Sequence, residues 1–267
     1  MATKPSRKSS AFERSILQRA AVVIAVIFQI GATFLPALGI GEEIGSRSDA
    51  TRTLVTPAGW AFAIWGPLFA GTVAFAIYQA LPAQRRDDLL NSIAWPAAGA
   101  FLGNGLWAIY TQLYALSAIS VLIIVFTLIC LLTVYRRLVA FRRDFVTAER
   151  WLVVLPLSAL TAWLTAATIV NVSASLKFYG VGSGQANIVL ATGVVLVGGV
   201  IASLAIGRGR GNPIYAAVFL WALTAIYASG GQVAPAIAYA TIVSGVLVIV
   251  TTLFKLRDVG NRRHWLG

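Results

Sequence analysis

Two asparagines and a set of tryptophans are the residues whose types and spacing suit chemistry in this chain. The stretch "GNGLWAIY" sets Asn104 and Trp107 three residues apart, so on a helix they share a face. The stretch "TAWLTAATIVN", from Thr161 to Asn171, carries Trp163, Thr168 and Asn171. At ~100° per residue Asn171 falls within roughly 80° of Trp163, and all three occupy one half of a helix. An earlier uncharged stretch, "LVTPAGWAFAIWGPLF" from Leu54 to Phe69, holds Trp60, Phe62, Trp65 and Phe69 behind Pro57. An indole offers a flat apolar face and one N–H, and an amide offers paired donors and acceptors. Such a set suits non-covalent recognition of a flat apolar molecule with few polar groups.

Other chemistry finds little support. With one cysteine (Cys130, inside an apolar run) and one histidine (His264, near the C-terminus), the sequence predicts neither a disulfide framework nor a metal cluster. A histidine-ligated haem is not expected either. Hydroxyl residues inside the apolar runs lack an adjacent base and are not nucleophiles. "RGRGN" at 208–212 is rich in glycine but has no phosphate-loop spacing, and reads as a turn.

The elements that position these residues are membrane helices. The chain has 267 residues, 58% hydrophobic and 11% charged, more apolar than a soluble domain of this length. Eight apolar segments follow one another: Ala20–Leu38, Pro57–Leu81, Ala94–Tyr114, Leu116–Tyr135, Trp151–Leu176, Ala186–Gly207, Pro213–Ser229 and Val233–Leu253. Most match the ~20 residues that cross a hydrocarbon core. The expected fold is therefore an all-α, polytopic membrane bundle of about eight transmembrane helices. The first is read as a retained helix rather than a cleaved signal peptide.

Placing the N-terminus in the cytoplasm leaves three of the 21 Lys and Arg residues, Arg47, Arg52 and Lys177, on the opposite side. That bias puts both termini in the cytoplasm. The net charge of +12 is then topological, so nucleic acid is not an expected partner and membrane lipids are. No carboxylate or lysine lies deep in a segment, which removes the usual proton-relay and Schiff-base devices.

Two readings of the polar residues stand at this point. Asparagine and threonine in membrane helices often only bond a neighbouring helix, for about 0.6 kcal/mol on average, and tryptophans near helix ends are often anchors. Trp95 and Trp151 are read as anchors, whereas Trp107, Trp163 and Trp221 lie deeper. The alternative is a pocket walled by indoles. Gly99 and Gly103 fit a small-xxx-small helix contact.

"TPAGWAFAIWGPLF", "NGLW" and "AWLTAATIVN" together resemble, in order, three signature regions of the TspO/MBR family, the tryptophan-rich sensory and translocator proteins. Asn104/Trp107 and Trp163/Asn171 match the family's spacings. The opening region departs from the pattern, with Thr56 in place of the first proline and Trp65 one residue early. The equivalence is therefore carried to Trp60 and Phe62 rather than to Trp65. The resemblance covers about Ala20 to Leu176. It implies a five-helix core at 20–176 between a basic tail at 1–19 and a three-helix extension at 177–256, with a tail at 257–267.

The resemblance further implies a pocket under a lid at Gly41–Arg52, with Trp60, Phe62, Asn104, Trp107, Trp163, Thr168 and Asn171 as ligand-binding residues and Pro57 as the helix start. The implied ligand is a tetrapyrrole such as protoporphyrin IX or haem, or a sterol, held for sensing, sequestration or transport in a bacterial inner membrane. No cofactor is required, and a homodimer is a possible assembly. The alternatives are a light-dependent porphyrin-degrading enzyme and a secondary transporter of a small lipophilic solute; binding is preferred to catalysis because no base or redox group is at hand.

Overall fold

The computed structural model describes residues 13–181 and 185–267, so most of the basic tail at 1–19 lies outside the described residues. Among these, regular structure is helical throughout, and eight helices are long: α1 (Ile16–Gly31), α3 (Trp65–Ala80), α4 (Asp88–Leu113), α5 (Ala118–Ala140), α7 (Leu155–Phe178), α8 (Gln185–Arg208), α9 (Pro213–Ala228) and α11 (Pro235–Leu256). Short helices α2 (Ile44–Ala50), α6 (Thr147–Glu149), α10 (Gly230–Val233) and α12 (Val259–Leu266) lie between or after them. The chain is an integral, multi-pass membrane protein, as the sequence indicates.

Seven of the long helices are apolar and long enough to cross a membrane. The exception, α4, has 26 residues but carries Asn91, Asn104 and Gln112. It packs between α1 and α5 with Asn104 and Gln112 buried, while Trp95, Leu102, Leu106 and Leu113 form an exposed apolar stripe on its outer side. It begins at Asp88, six residues before the predicted Ala94. Asp87 caps the end by accepting from the Leu90 amide at 2.7 Å, and Leu89, Leu90 and Ile93 are buried in the extra turns. Ser15 and Asn212 cap α1 and α9 in the same way, and Pro213 and Pro235 occupy first-turn positions.

The second span opens differently from expectation. A 3-10 helix, Gly59–Ile64, precedes α3, and Pro57 lies before it rather than starting the α-helix.

The first five spans close into a ring in which α1 packs on α4, α4 on α5, α5 on α7, α7 on α3 and α3 on α1. Gly99 and Gly103 serve the α4–α5 contact: a Cβ on Gly99 would meet Cys130 Sγ at 3.1 Å, and one on Gly103 would run into Thr127 Oγ1. The remaining spans join at α7, which carries α9 and α8, while α11 packs on both of these.

The basic end of the bundle is stitched by polar groups. Buried Arg14 donates to Gln79 Oε1 at 2.7 Å and to the Gln79 carbonyl at 2.9 Å, tying the start of α1 to the end of α3. Arg143 grips buried Glu149 through two hydrogen bonds, Nη1–Oε2 at 2.7 Å and Nη2–Oε1 at 2.5 Å. Helix α12 folds back beneath this end. There Trp265 donates to the Gly209 carbonyl at 3.0 Å, and His264 Nε2 lies 3.1 Å from the Leu138 carbonyl. That bond fixes the proton on Nε2 and leaves Nδ1 to accept from Arg210 at 3.3 Å. Burial, then the Arg210 charge, pushes the His264 pKa down to about 4.

Candidate functional site

At the end of the ring opposite the basic residues, two adjoining cavities open beneath α2. One, of about 50 Å³, is walled by Phe62, Trp107, Trp163 and Asn171; the other, of about 380 Å³, by Phe62, Trp65, Phe69, Asn104 and Trp107. Ile44, Pro57, Phe62 and Trp107 line both, so the two share a wall. The larger volume lies in the range of small-molecule sites. Ile44 and Ser48 of α2 roof the first cavity, and Glu43, Gly45 and Asp49 border the second. The predicted lid segment Gly41–Arg52 therefore covers the site.

Local helix geometry decides which aromatics face inward. In a 3-10 helix residues three apart eclipse, so Phe62 and Trp65 share a face, and the following α-turn adds Phe69. Gly59, Phe62, Trp65 and Phe69 accordingly all border the larger cavity. Trp60, two residues before Phe62, is turned away and remains 45% exposed. It meets Trp221 of α9 edge-on, with centroids 4.8 Å apart. The structure therefore sets Trp60 outside the cavity wall and Trp65 in it, the reverse of the assignment made from an α-helical pitch. Trp65 stacks on Phe69 at 5.1 Å and meets Trp163 edge-on at 6.1 Å. Phe62 meets Trp163 from another side at 6.3 Å.

On α7 the inward stripe is Trp163, Ala166, Ala167, Val170 and Asn171, the spacing of one helix face. Thr168 lies off that stripe, absent from both cavity walls, and its hydroxyl donates to the Leu164 carbonyl at 2.7 Å. Sharing half a helix with Trp163 is too loose a criterion, because the wall takes a stripe narrower than 180°.

The two asparagines differ in role. Asn171 accepts from Trp107 Nε1 at 3.2 Å and donates to Ser120 Oγ at 3.0 Å, which joins α4, α5 and α7 and holds the Trp107 ring. Its amide is therefore occupied by protein. Asn104 Oδ1 and Trp163 Nε1 are buried without a hydrogen-bond partner. These are one acceptor and one donor in walls that are otherwise apolar below the polar residues of α2 and its flank, and unpaired buried groups of this kind cost about 1–3 kcal/mol each.

Sequence reasoning overlooked the contribution of α9. Ala222 and Ile226 line the smaller cavity, so a helix outside the five-helix ring completes its wall. Three hydrogen bonds hold it there. Trp221 Nε1 donates to the Ala61 carbonyl at 3.2 Å, the Ala58 amide to the Ala225 carbonyl at 3.0 Å, and Ser229 Oγ to the Thr56 carbonyl at 2.6 Å. On the other flank the lid is pinned to α4, where the Glu42 amide donates to the Gln112 carbonyl at 2.9 Å. Gly41 approaches that carbonyl so closely, at φ 73°, that a Cβ would lie 2.5 Å from its oxygen.

The structure defines a multi-pass helical membrane protein with a lidded, indole-walled cavity inside a ring of five helices. The family model of TSPO-like proteins matches residues 15–254, and the chain belongs to that family. The match runs through α8, α9 and most of α11, so the helices beyond the ring lie within it. No curated protein and no solved structure matches the chain.

Proposed function

We propose that this TSPO-like membrane protein binds a flat, largely apolar molecule of the porphyrin class beneath α2, for sensing, sequestration or transport. The observation that carries the reading is a pair of unpartnered polar groups among aromatic faces, Asn104 Oδ1 on the larger cavity and Trp163 Nε1 on the smaller. Indole and phenyl faces stack on a planar ring system, a pyrrole N–H suits the Asn104 acceptor, and a carboxylate or carbonyl suits the Trp163 donor. Trp107, held by Asn171, supplies a fixed surface between the two cavities. The membrane in this reading is a bacterial cytoplasmic membrane with the basic end inside.

The test is a titration of protoporphyrin IX into detergent-purified protein in the dark, following the porphyrin absorbance band and tryptophan quenching. The expected result is saturable micromolar binding that weakens about tenfold in Trp163→Phe and in Asn104→Leu. A linear, non-saturating response, or equal affinity in folded forms of both variants, would overturn the reading.

A further inference from the structure

A second cavity system lies at the basic end, away from the lid. Helices α5 and α8 both pack on α7 and leave between them a cleft of about 850 Å³. Its two walls repeat one another. On α5 the repeated lining residues are Ile129, Leu132, Thr133 and Arg136, with Tyr135 and Val139 beside them; on α8 they are Ile201, Leu204, Ala205 and Arg208. Both sets read Ile, Leu, small residue, Arg at i, i+3, i+4 and i+7, one face of two helical turns. The two helices run in the same direction, each with its arginine at the basic end. The matching ladders therefore bring two guanidiniums to one level, ~10 Å beyond the isoleucines at 1.5 Å per residue.

The back of the cleft is closed by Tyr135, whose hydroxyl donates to the Ala205 carbonyl at 3.4 Å. No acidic side chain lines the cleft. Among the described residues neither Arg136 nor Arg208 has a salt bridge or a side-chain hydrogen bond, although Arg143, Arg263 and others at this end are paired with carboxylates. Isoleucine and leucine on both walls are open to the outside, Ile129 at 58% and Leu204 at 49% exposure.

We infer that this cleft is a binding site for one anionic glycerophospholipid of the leaflet at the basic end. The paired arginines hold the headgroup phosphate and the two Ile–Leu ladders flank the acyl chains. Guanidinium pairs phosphate in a bidentate manner, and basic recesses between membrane helices on the cytoplasmic side suit anionic headgroups. The site is separate from the lidded cavity and does not depend on what that cavity binds.

The test is native mass spectrometry of the delipidated full chain in neutral detergent. Phosphatidylglycerol and phosphatidylcholine of identical acyl chains are added in competition. Two arginines at headgroup level predict about a thirtyfold preference for the anionic lipid in the first adduct. Arg136→Gln with Arg208→Gln abolishes that preference, whereas Arg257→Gln with Arg262→Gln, the same charge change on exposed residues outside the cleft, leaves it. Leu204→Trp, which fills the cleft, weakens both lipids. Equal loss in the two arginine pairs would reduce the effect to general surface charge and overturn the site. So would an unchanged preference in Arg136→Gln/Arg208→Gln, full binding in Leu204→Trp, or displacement of the lipid by an equal concentration of glycerol phosphate.

Discussion

The indole Nε1 of Trp107 donates to Oδ1 of Asn171 at 3.2 Å, joining α4 to α7 across the wall of the lidded cavity. The same asparagine donates to Ser120 on α5, so one amide holds three helices. Asn171 thus orients the ring that a ligand would touch. A double-mutant cycle with Asn171→Leu and Trp107→Phe should give a coupling of about 0.6 kcal/mol, the usual size for such bonds in membrane proteins. Strict additivity in thermal unfolding would show that the bond does not form.

The helices beyond the ring bear on the cavity through Ala222 and Ile226. Ala222→Phe is expected to overfill the smaller chamber and weaken protoporphyrin binding at least tenfold, at a cost of about 1–3 kcal/mol in stability. Leu247→Phe, on the exposed face of α11, serves as the control and should bind normally. Equal affinity in the two variants would remove α9 from the site.

Docking of α12 should respond to acid. His264 titrates near 6.5 when unfolded and at about 4 when folded, so between these values the unfolded state binds more protons. Stability is therefore fully present above about pH 6.5 and declines as the pH falls towards 4. The reason is geometric: a second ring proton on Nδ1 would face Arg210, with Arg150 adding repulsion and Asp144 opposing it. Protection factors for amide exchange across Val259–Leu266 should fall as the pH drops through this window in the native chain and stay flat in His264→Gln.

Glycines in the long helices divide by what surrounds them. A Cβ on Gly71 would lie 2.8 Å from Cβ of Pro156, a rigid ring on α7, whereas one on Gly193 of α8 meets nothing within 4 Å. Gly71→Ala should destabilise the protein by about 1–3 kcal/mol through overpacking. Gly193→Ala should be neutral, or stabilising by up to about 1 kcal/mol through helix propensity. Denaturation of the two variants side by side checks the contrast.

Much of the fold was legible because membrane spans announce themselves by length and by the placement of charge. The start of α4 was not, since Asp88 and Asn91 look like loop residues until Asp87 is seen as a cap. On α7 the cavity wall was present in the sequence as a stripe of small residues between Trp163 and Asn171, and a narrower arc would have excluded Thr168. Trp60 was misplaced because sequence alone gave no sign that residues 59–64 wind as a 3-10 helix, which turns Trp65 inward. Ala222 and Ile226 carried no signal at all, since apolar residues facing a cavity and facing lipid look alike.

The clasp of α9 on the segment Thr56–Ala61 also sets an order of assembly. Every aromatic wall residue, from Phe62 to Trp163, is synthesised before Ala222 and Ile226. A nascent chain with five helices in the bilayer thus has its rings in place but its cavity open on one side. Enclosure waits for some fifty further residues beyond α7, the stretch that ends with α9. Enclosure of the chamber is in this sense a property of the finished protein, and the last wall to arrive is the one that closes it.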